Sequence, residues 1–223
     1  MMPHIYEQPD LPQLLQRELA RGQADPRWRR WLAPQLSYGR HAGPARSDAQ
    51  LAAVAIVFYQ QHSAWHVPLT VRPAGLRTHA GQVSFPGGAL EAGEDSRNAA
   101  HRELVEELFA DRQPTDVNVD WLGALAPLHV FVSNRLVTPW VGVLRDQPDW
   151  RPQPAEVEQV LPLSLELLLI DDQPDEMTVH RGSLAFSAPR LMVNGIEVWG
   201  STAVLLGELR GWLRRLAAGE ETT

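Results

Sequence analysis

Phe85-Pro86-Gly87-Gly88-Ala89-Leu90-Glu91-Ala92-Gly93-Glu94-Asp95-Ser96-Arg97-Asn98-Ala99-Ala100-His101-Arg102-Glu103-Leu104-Val105-Glu106-Glu107 places four glutamates and an arginine at fixed spacing behind a Pro-Gly-Gly turn: Glu94, Arg102, Glu103, Glu106 and Glu107. The second half reads as a helix. Asp95 or Ser96 can cap it, since either side chain accepts a bond from an orphan N–H of the first turn. Ala99, Ala100, Leu104 and Leu108 then form a buried stripe. At ~100° per residue, Glu103, Glu106 and Glu107 fall within an arc of about 100°. Glu107 lies at i+4 and Glu106 at i+3 from Glu103, so the charges are neighbours and repel. A hard divalent cation such as Mg2+ removes that cost, because it prefers carboxylate and water oxygens. A charge run on a helix is more often a solvated face. Here Gly88, Glu94 and Arg102 stand in register with the glutamates, and the cation site is the better reading.

The pattern resembles the Nudix box, G-x5-E-x7-R-E-U-x-E-E-x-G-U, with U a bulky aliphatic. Its positions up to Glu107 are filled, and Phe109 stands where the box has its last glycine. The resemblance covers roughly residues 51–217. It implies a hydrolase of a diphosphate linked to another moiety, on an α/β/α sandwich with a mixed sheet and the box as a loop-helix-loop. It implies Mg2+ or Mn2+ held by Glu103, Glu107 and Glu106, with the Gly88 carbonyl as a further ligand. Glu94 and Arg102 would brace the loop against the helix through an ion pair. The general base is Glu106 or Glu156; Glu156-Val157 resembles a pair that precedes a short strand in one Nudix subfamily, and a plain loop carboxylate fits equally well. Glycine at position 109 would end the helix at positive φ, so Phe109 implies another exit.

Upstream, Leu69-Thr70-Val71-Arg72-Pro73-Ala74-Gly75-Leu76-Arg77-Thr78-His79-Ala80-Gly81-Gln82-Val83-Ser84-Phe85-Pro86-Gly87-Gly88 is similar to the signature of coenzyme A diphosphatases, L-L-T-x-R-[SA]-x3-R-x3-G-x3-F-P-G-G. Pro68 and Pro73 depart from it. The segment Trp199-Gly200-Ser201-Thr202-Ala203 also resembles that subfamily. The implied reaction takes coenzyme A or acyl-coenzyme A to 3',5'-ADP and (acyl-)4'-phosphopantetheine. Arg72 and Arg77 become substrate-binding candidates, because guanidinium groups give phosphate bidentate donors. Gly87 and Gly88 would let backbone approach the ligand. The alternatives are a Nudix hydrolase of ADP-ribose or NADH, and a non-catalytic nucleotide-binding Nudix module. The second counts for less, because the box glutamates are intact.

The whole chain is consistent with this. Its 223 residues are 44% hydrophobic and carry a formal charge of -7. That charge argues against general nucleic-acid binding. No apolar run is long enough to span a bilayer, and the N-terminus lacks the pattern of a signal peptide. Cysteine is absent, which excludes thiolate chemistry and Cys-ligated metals. All 20 basic residues are arginine. The expected setting is cytoplasmic, the expected partner a small molecule, and a homodimer is allowed.

Periodicity divides the chain into an N-terminal helical extension, residues 1–48, and a hydrolase domain, residues 49–223. Helices are expected at 11–20 and 28–32, strands at 51–59 and 65–71 joined through a loop at 60–63, and further strands at 119–125 and 136–144. The leucine-rich 161–170 should include a short helix. Asn194-Gly195 marks a tight hairpin, and 202–217 a helix. Trp28, Trp31 and Leu32 should anchor the extension on the sheet domain or on a second subunit. His101, His129 and His180 match neither motif and are expected to pack or face solvent.

Overall fold

Strand β1 (Gln50–Gln61) is the axis of the molecule. Its alternating side chains point into two different cores. Ala53, Ala55, Val57 and Tyr59 face one side; Ile56 and Phe58 face the other. The computed structural model describes residues 4–22, 24–34, 44–75, 81–170, 174–181 and 184–219.

On one edge β1 turns into β2 (Ala64–Val71) through His62 and Ser63, both at positive φ, and pairs antiparallel with it. The turn is therefore two residues, tighter than the loop expected at 60–63. The strands β3 (Val83–Ser84) and β4 (Gly87–Ala89) come next, β3 on β2 and β4 on β1. The helix α3 (Ser96–Leu108) follows. Strands β5 (Val119–Ala124), β6 (Leu128–Val130) and β7 (Arg135–Leu144) then fill the other edge, with β7 parallel to β1. Strand β8 (Gln159–Ser164) adds to β2. The eight-stranded sheet has the path β3-β2-β1-β7-β5, with β4, β6 and β8 pairing beside it. Strands of only two or three residues were invisible to periodicity, because too few positions repeat.

Three helices precede or follow this sheet on its Ile56–Phe58 side. They are α1 (Leu11–Arg21), α2 (Pro26–Arg30) and the C-terminal α5 (Gly200–Ala217). Leu11, Leu15 and Leu32 are fully buried in the same core as Ile56, Phe58, Leu206 and Leu209. The short α4 (Leu165–Ile170) continues directly from β8. Helix α5 is buried on almost every side from Thr202 to Leu213, since one face covers the sheet and the other receives α1 and α2. A second sheet, β9 (Asp175–Arg181), β10 (Leu184–Val193) and β11 (Ile196–Val198), includes the Asn194-Gly195 hairpin. The architecture is the expected α/β/α arrangement around a mixed sheet.

Helix α3 (Ser96–Leu108) covers the opposite side of β1. Ala99, Ala100, Leu104, Val105 and Leu108 press against Ala53, Ala55 and Val57. Two alanines on the strand let the helix come close, which matters for the site it carries. Asp95 is the cap: its carboxylate accepts from the N–H groups of Arg97 and Asn98, each at 2.9 Å. Ser96 lies inside the helix, and its hydroxyl accepts from Trp140 Nε1 at 3.0 Å.

Candidate metal and diphosphate site

The Phe85–Gly88 turn lies between β1 and α3, and its glycines are required by space. Gly88 pairs with Ala53 and Gly87 with Val54. A Cβ on Gly87 would stand 2.7 Å from Val54 Cα. A Cβ on Gly88 would overlap the Glu103 carboxylate, lying 2.7 Å from Oε2 and nearer still to Oε1. Bare backbone thus separates the strand from the glutamates of α3. The Ala55 N–H fixes the turn by donating to Pro86 O at 2.9 Å.

Arg102 is the hub of the box. It donates from Nε and Nη2 to both oxygens of Glu94 at 3.0 Å, and from Nη2 to Ala89 O at 3.1 Å. Nη1 donates to Glu103 Oε1 at 2.9 Å and to Glu106 Oε2 at 3.0 Å. The guanidinium beside Glu94 holds that carboxyl below the usual range, and the bond to Glu94 is the chief cause that pushes the Arg102 pKa up. Ion pairs through an immobilised arginine join the loop at Glu94 to the helix.

Glu107 is the most buried acid of the box, 4% exposed. Burial pushes its pKa up to about 8; the charges of Glu103 and Glu156 add to this, while the Gly87 N–H and Arg72 oppose it. The Gly87 N–H donates to Glu107 Oε1 at 3.3 Å. Burial also raises Glu103, against Arg102, with Glu106 and Glu156 reinforcing the rise. Glu103, Glu107, Glu156 and Arg72 therefore share one electrostatic neighbourhood. Glu106 points outward, its side chain 56% exposed and tied to Arg102. Among the described residues, no group of three or more His, Asp or Glu converges as a ready cation cage.

Glu156 reaches this neighbourhood because of how α3 ends. Phe109 takes the exit position with φ -137° and no left-handed turn. Its ring is buried against Trp150, with centroids 5.2 Å apart. The carbonyls left open by the helix end are taken by the following chain: Gln153 N donates to Glu107 O at 2.9 Å and Arg151 N to Leu108 O at 2.8 Å. Glu156 N and Val157 N then close on Gln153 O at 3.0 and 2.8 Å. Phe109 substitutes a packed ring for a glycine, and the 151–157 segment replaces the usual helix stop.

Arg72 follows β2, bonded through its backbone to Gln82 O and Gly81 N. Its Nε is buried and has no hydrogen-bond partner among the described residues. Arg77 lies outside the described residues. Glu158, which the sequence reading missed, accepts from Ala74 N at 3.2 Å and holds the chain just after Arg72. No spacing rule marks it, because its role comes from β8 running beside β2. The three histidines sit apart: His101 bonds Val117 O at 3.0 Å, His129 contacts Asn134 Oδ1 at 3.2 Å, and His180 is exposed on β9.

The model of the NUDIX domain matches residues 49–181. The Nudix hydrolase NudL of Salmonella newport is 36% identical over 145 residues, covering 63% of this chain and 71% of that protein. The NudL of Salmonella agona matches over the same length and with the same identity. Among solved structures, the Nudix hydrolase RenU of M. smegmatis aligns with a TM-score of 0.48 at 14% identity, over 86% of this chain and 97% of that one. The MutT protein of Methanosarcina mazei aligns with a TM-score of 0.45 at 17% identity, over 78% and 96%. With the box in place on α3 and the family pattern spanning more than half of its residues, the chain belongs to the Nudix family and is a hydrolase of diphosphate bonds.

Proposed function

We propose that the enzyme hydrolyses the diphosphate bond of coenzyme A or acyl-coenzyme A, giving 3',5'-ADP and (acyl-)4'-phosphopantetheine. The observation that carries this reading is Arg72. It lies in the stretch similar to the coenzyme A diphosphatase signature, its Nε is buried without a partner among the described residues, and its charge acts on Glu107. A buried guanidinium N–H left unbonded is costly, and a phosphate oxygen satisfies it.

The residues fit a divalent cation. Glu107 is buried with a raised pKa, its charge supported by the Gly87 N–H and then by Arg72, and Glu103 stands against the bare backbone of Gly88. Glu103, Glu107 and Glu106 are the assigned ligand groups, with Mg2+ or Mn2+ the ions that suit carboxylate oxygens. When bound, such an ion supplies charge neutralisation of the diphosphate and acidification of a coordinated water. The chain supplies the rest. Arg102 fixes the Glu103 carboxylate, Gly87 lets the turn lie against β1, Gly88 leaves room for the Glu103 carboxylate, and Arg72 orients a phosphate. Glu156 is the assigned general base, exposed to solvent yet close enough to act on Glu103 and Glu107. Glu106 is the second candidate, since it too is open to water.

The test is a panel of coenzyme A, acyl-coenzyme A, ADP-ribose and NADH with Mg2+ or Mn2+, the products identified by mass spectrometry. Turnover of the coenzyme A compounds to 3',5'-ADP, abolished by chelator, is expected. Preference for ADP-ribose or NADH would replace the substrate and leave the hydrolase standing.

A further inference from the structure

The second sheet ends in a strand that pairs on one side only among the described residues. β9 bonds to β10, in register from Leu184↔Arg181 to Arg190↔Asp175. It contains no proline or lysine, two of the residues that commonly blunt an exposed edge, and its acids Asp175 and Glu176 call for a partner strand that offers basic groups. Pro189 stands opposite Glu176. Proline has no N–H to exchange, so this pair belongs to the non-bonded class of the antiparallel ladder. Alternation then assigns Thr178 and His180 to the same class. The backbone N–H and C=O groups of Glu176, Thr178 and His180 therefore point toward the open edge, and all three residues are exposed.

We propose that β9 pairs antiparallel with β9 of a second copy of this chain, about a two-fold axis at Thr178. A two-fold interface uses the same patch on both copies, which an antiparallel strand can do with itself. The outward groups must meet one another, and this restricts the register. Centred on Thr178, the register joins Thr178 to Thr178, Glu176 to His180 and His180 to Glu176, so every outward group is paired. Centred on Met177 or Val179, it leaves His180 or Glu176 unmatched. The Thr178 register also sets an acid against a histidine on both flanks. Glu176 is already held on this face by the Ser187 hydroxyl, which donates to it at 2.7 Å. A single strand pair covers little area, so the dimer is weak and forms with rising concentration.

Sedimentation velocity on the full chain should show the mass rising from one chain to two across a concentration series. Thr178→Lys sets two cations at the axis and should weaken association about tenfold or more, with diphosphate hydrolysis unchanged as the check on folding. Glu176→Arg should weaken it, and Glu176→Arg with His180→Glu should restore it, because the swapped pair attracts again. The protein has no cysteine, so Thr178→Cys should oxidise to a linked dimer faster than Gln61→Cys, an exposed position on β1. A chain that stays single at every concentration overturns the proposal. So does a dimer that Thr178→Lys leaves intact, or cross-linking no faster than at Gln61.

Discussion

Gly88 and Glu103 are fitted to each other: the space a side chain would need at Gly88 is filled by the Glu103 carboxylate. The helix can approach the strand this closely because Ala53, the β1 partner of Gly88, is itself small. Backbone, carboxylate and arginine are consequently stacked in order, from β4 through Glu103 to Arg102.

Gly88→Ala should therefore displace Glu103 without unfolding the protein, since the overlap is with a side-chain end. The expected cost is about ten- to a hundredfold in metal affinity or activity, the scale of losing the support of a ligand. Calorimetric titration with Mn2+ and steady-state kinetics measure it. An unchanged metal affinity would show that Glu103 binds from another rotamer.

The raised pKa of Glu107 gives a pH dependence with a definite sign. Its folded value is about 8 and its ordinary value 4.5. The neutral form is favoured by folding, so the stability this group contributes is complete below about pH 4.5 and is lost as pH rises through about 8. Metal-free protein should lose Tm across that window. Mg2+ requires the charged form, so the Tm gained on adding it should grow over the same range. Glu107→Gln should flatten both trends and lower kcat by about a hundredfold or more, as losing a charge at the reacting centre does. Equal slopes in the two proteins would assign the titration to another group.

Much of this was legible in the sequence, and for physical reasons. Arg102 and the glutamates of α3 are brought together by helix geometry, which spacing encodes directly, while the pairing of Arg102 with Glu94 on the preceding loop was expected from the resemblance to the Nudix box. β1, β2, β7 and α5 are long enough for their periods to repeat. The links between distant segments were not legible. Glu156 approaches Glu107 only because 151–153 bonds to the end of α3, and Glu158 braces Arg72 only because β8 lies against β2. Nor could spacing choose between Asp95 and Ser96 as the cap, since both can accept the same bonds and Trp140 decides the matter by taking Ser96.

Arg102→Lys should not substitute. Lysine is a point donor and cannot span Glu94, Glu103, Glu106 and Ala89 O at once. Losing these charge-assisted bonds should cost on the order of 2 kcal/mol of stability and loosen Glu103. Denaturant unfolding measures the first effect, and the KM and kcat for Mg2+-dependent turnover the second. Wild-type stability in the lysine variant would mean the network contributes no more than surface pairing.

Arg72→Ala should weaken coenzyme A use while leaving metal binding in place, because the glutamates remain. If Arg72 bonds the 3'-phosphate, discrimination against dephospho-coenzyme A should shrink by roughly ten- to a hundredfold, the equivalent of about 1.5–3 kcal/mol. A parallel loss for both compounds would place Arg72 on the diphosphate itself. No loss for either would remove it from the substrate.

The N-terminal segment should prove inseparable from the fold. Leu11, Leu15 and Leu32 have no exposed surface, and the Trp28 indole lies in the space a side chain at Gly211 of α5 would fill. Arg29 bonds to buried Glu208 and to the Ala126 and Pro127 carbonyls, tying α2 to both α5 and the chain before β6. Deleting residues 1–48 should uncover this core, at about 2 kcal/mol for each buried leucine, and strand Glu208 without its cation. The truncated chain should aggregate or unfold. Gly211→Val is the milder probe: it should expel Trp28, lower Tm, and leave kcat at saturating Mg2+ nearly intact, because no box residue moves. Trp fluorescence would report the expulsion. A stable truncation that binds Mg2+ and coenzyme A normally yet fails to hydrolyse would show instead that the segment completes the active site.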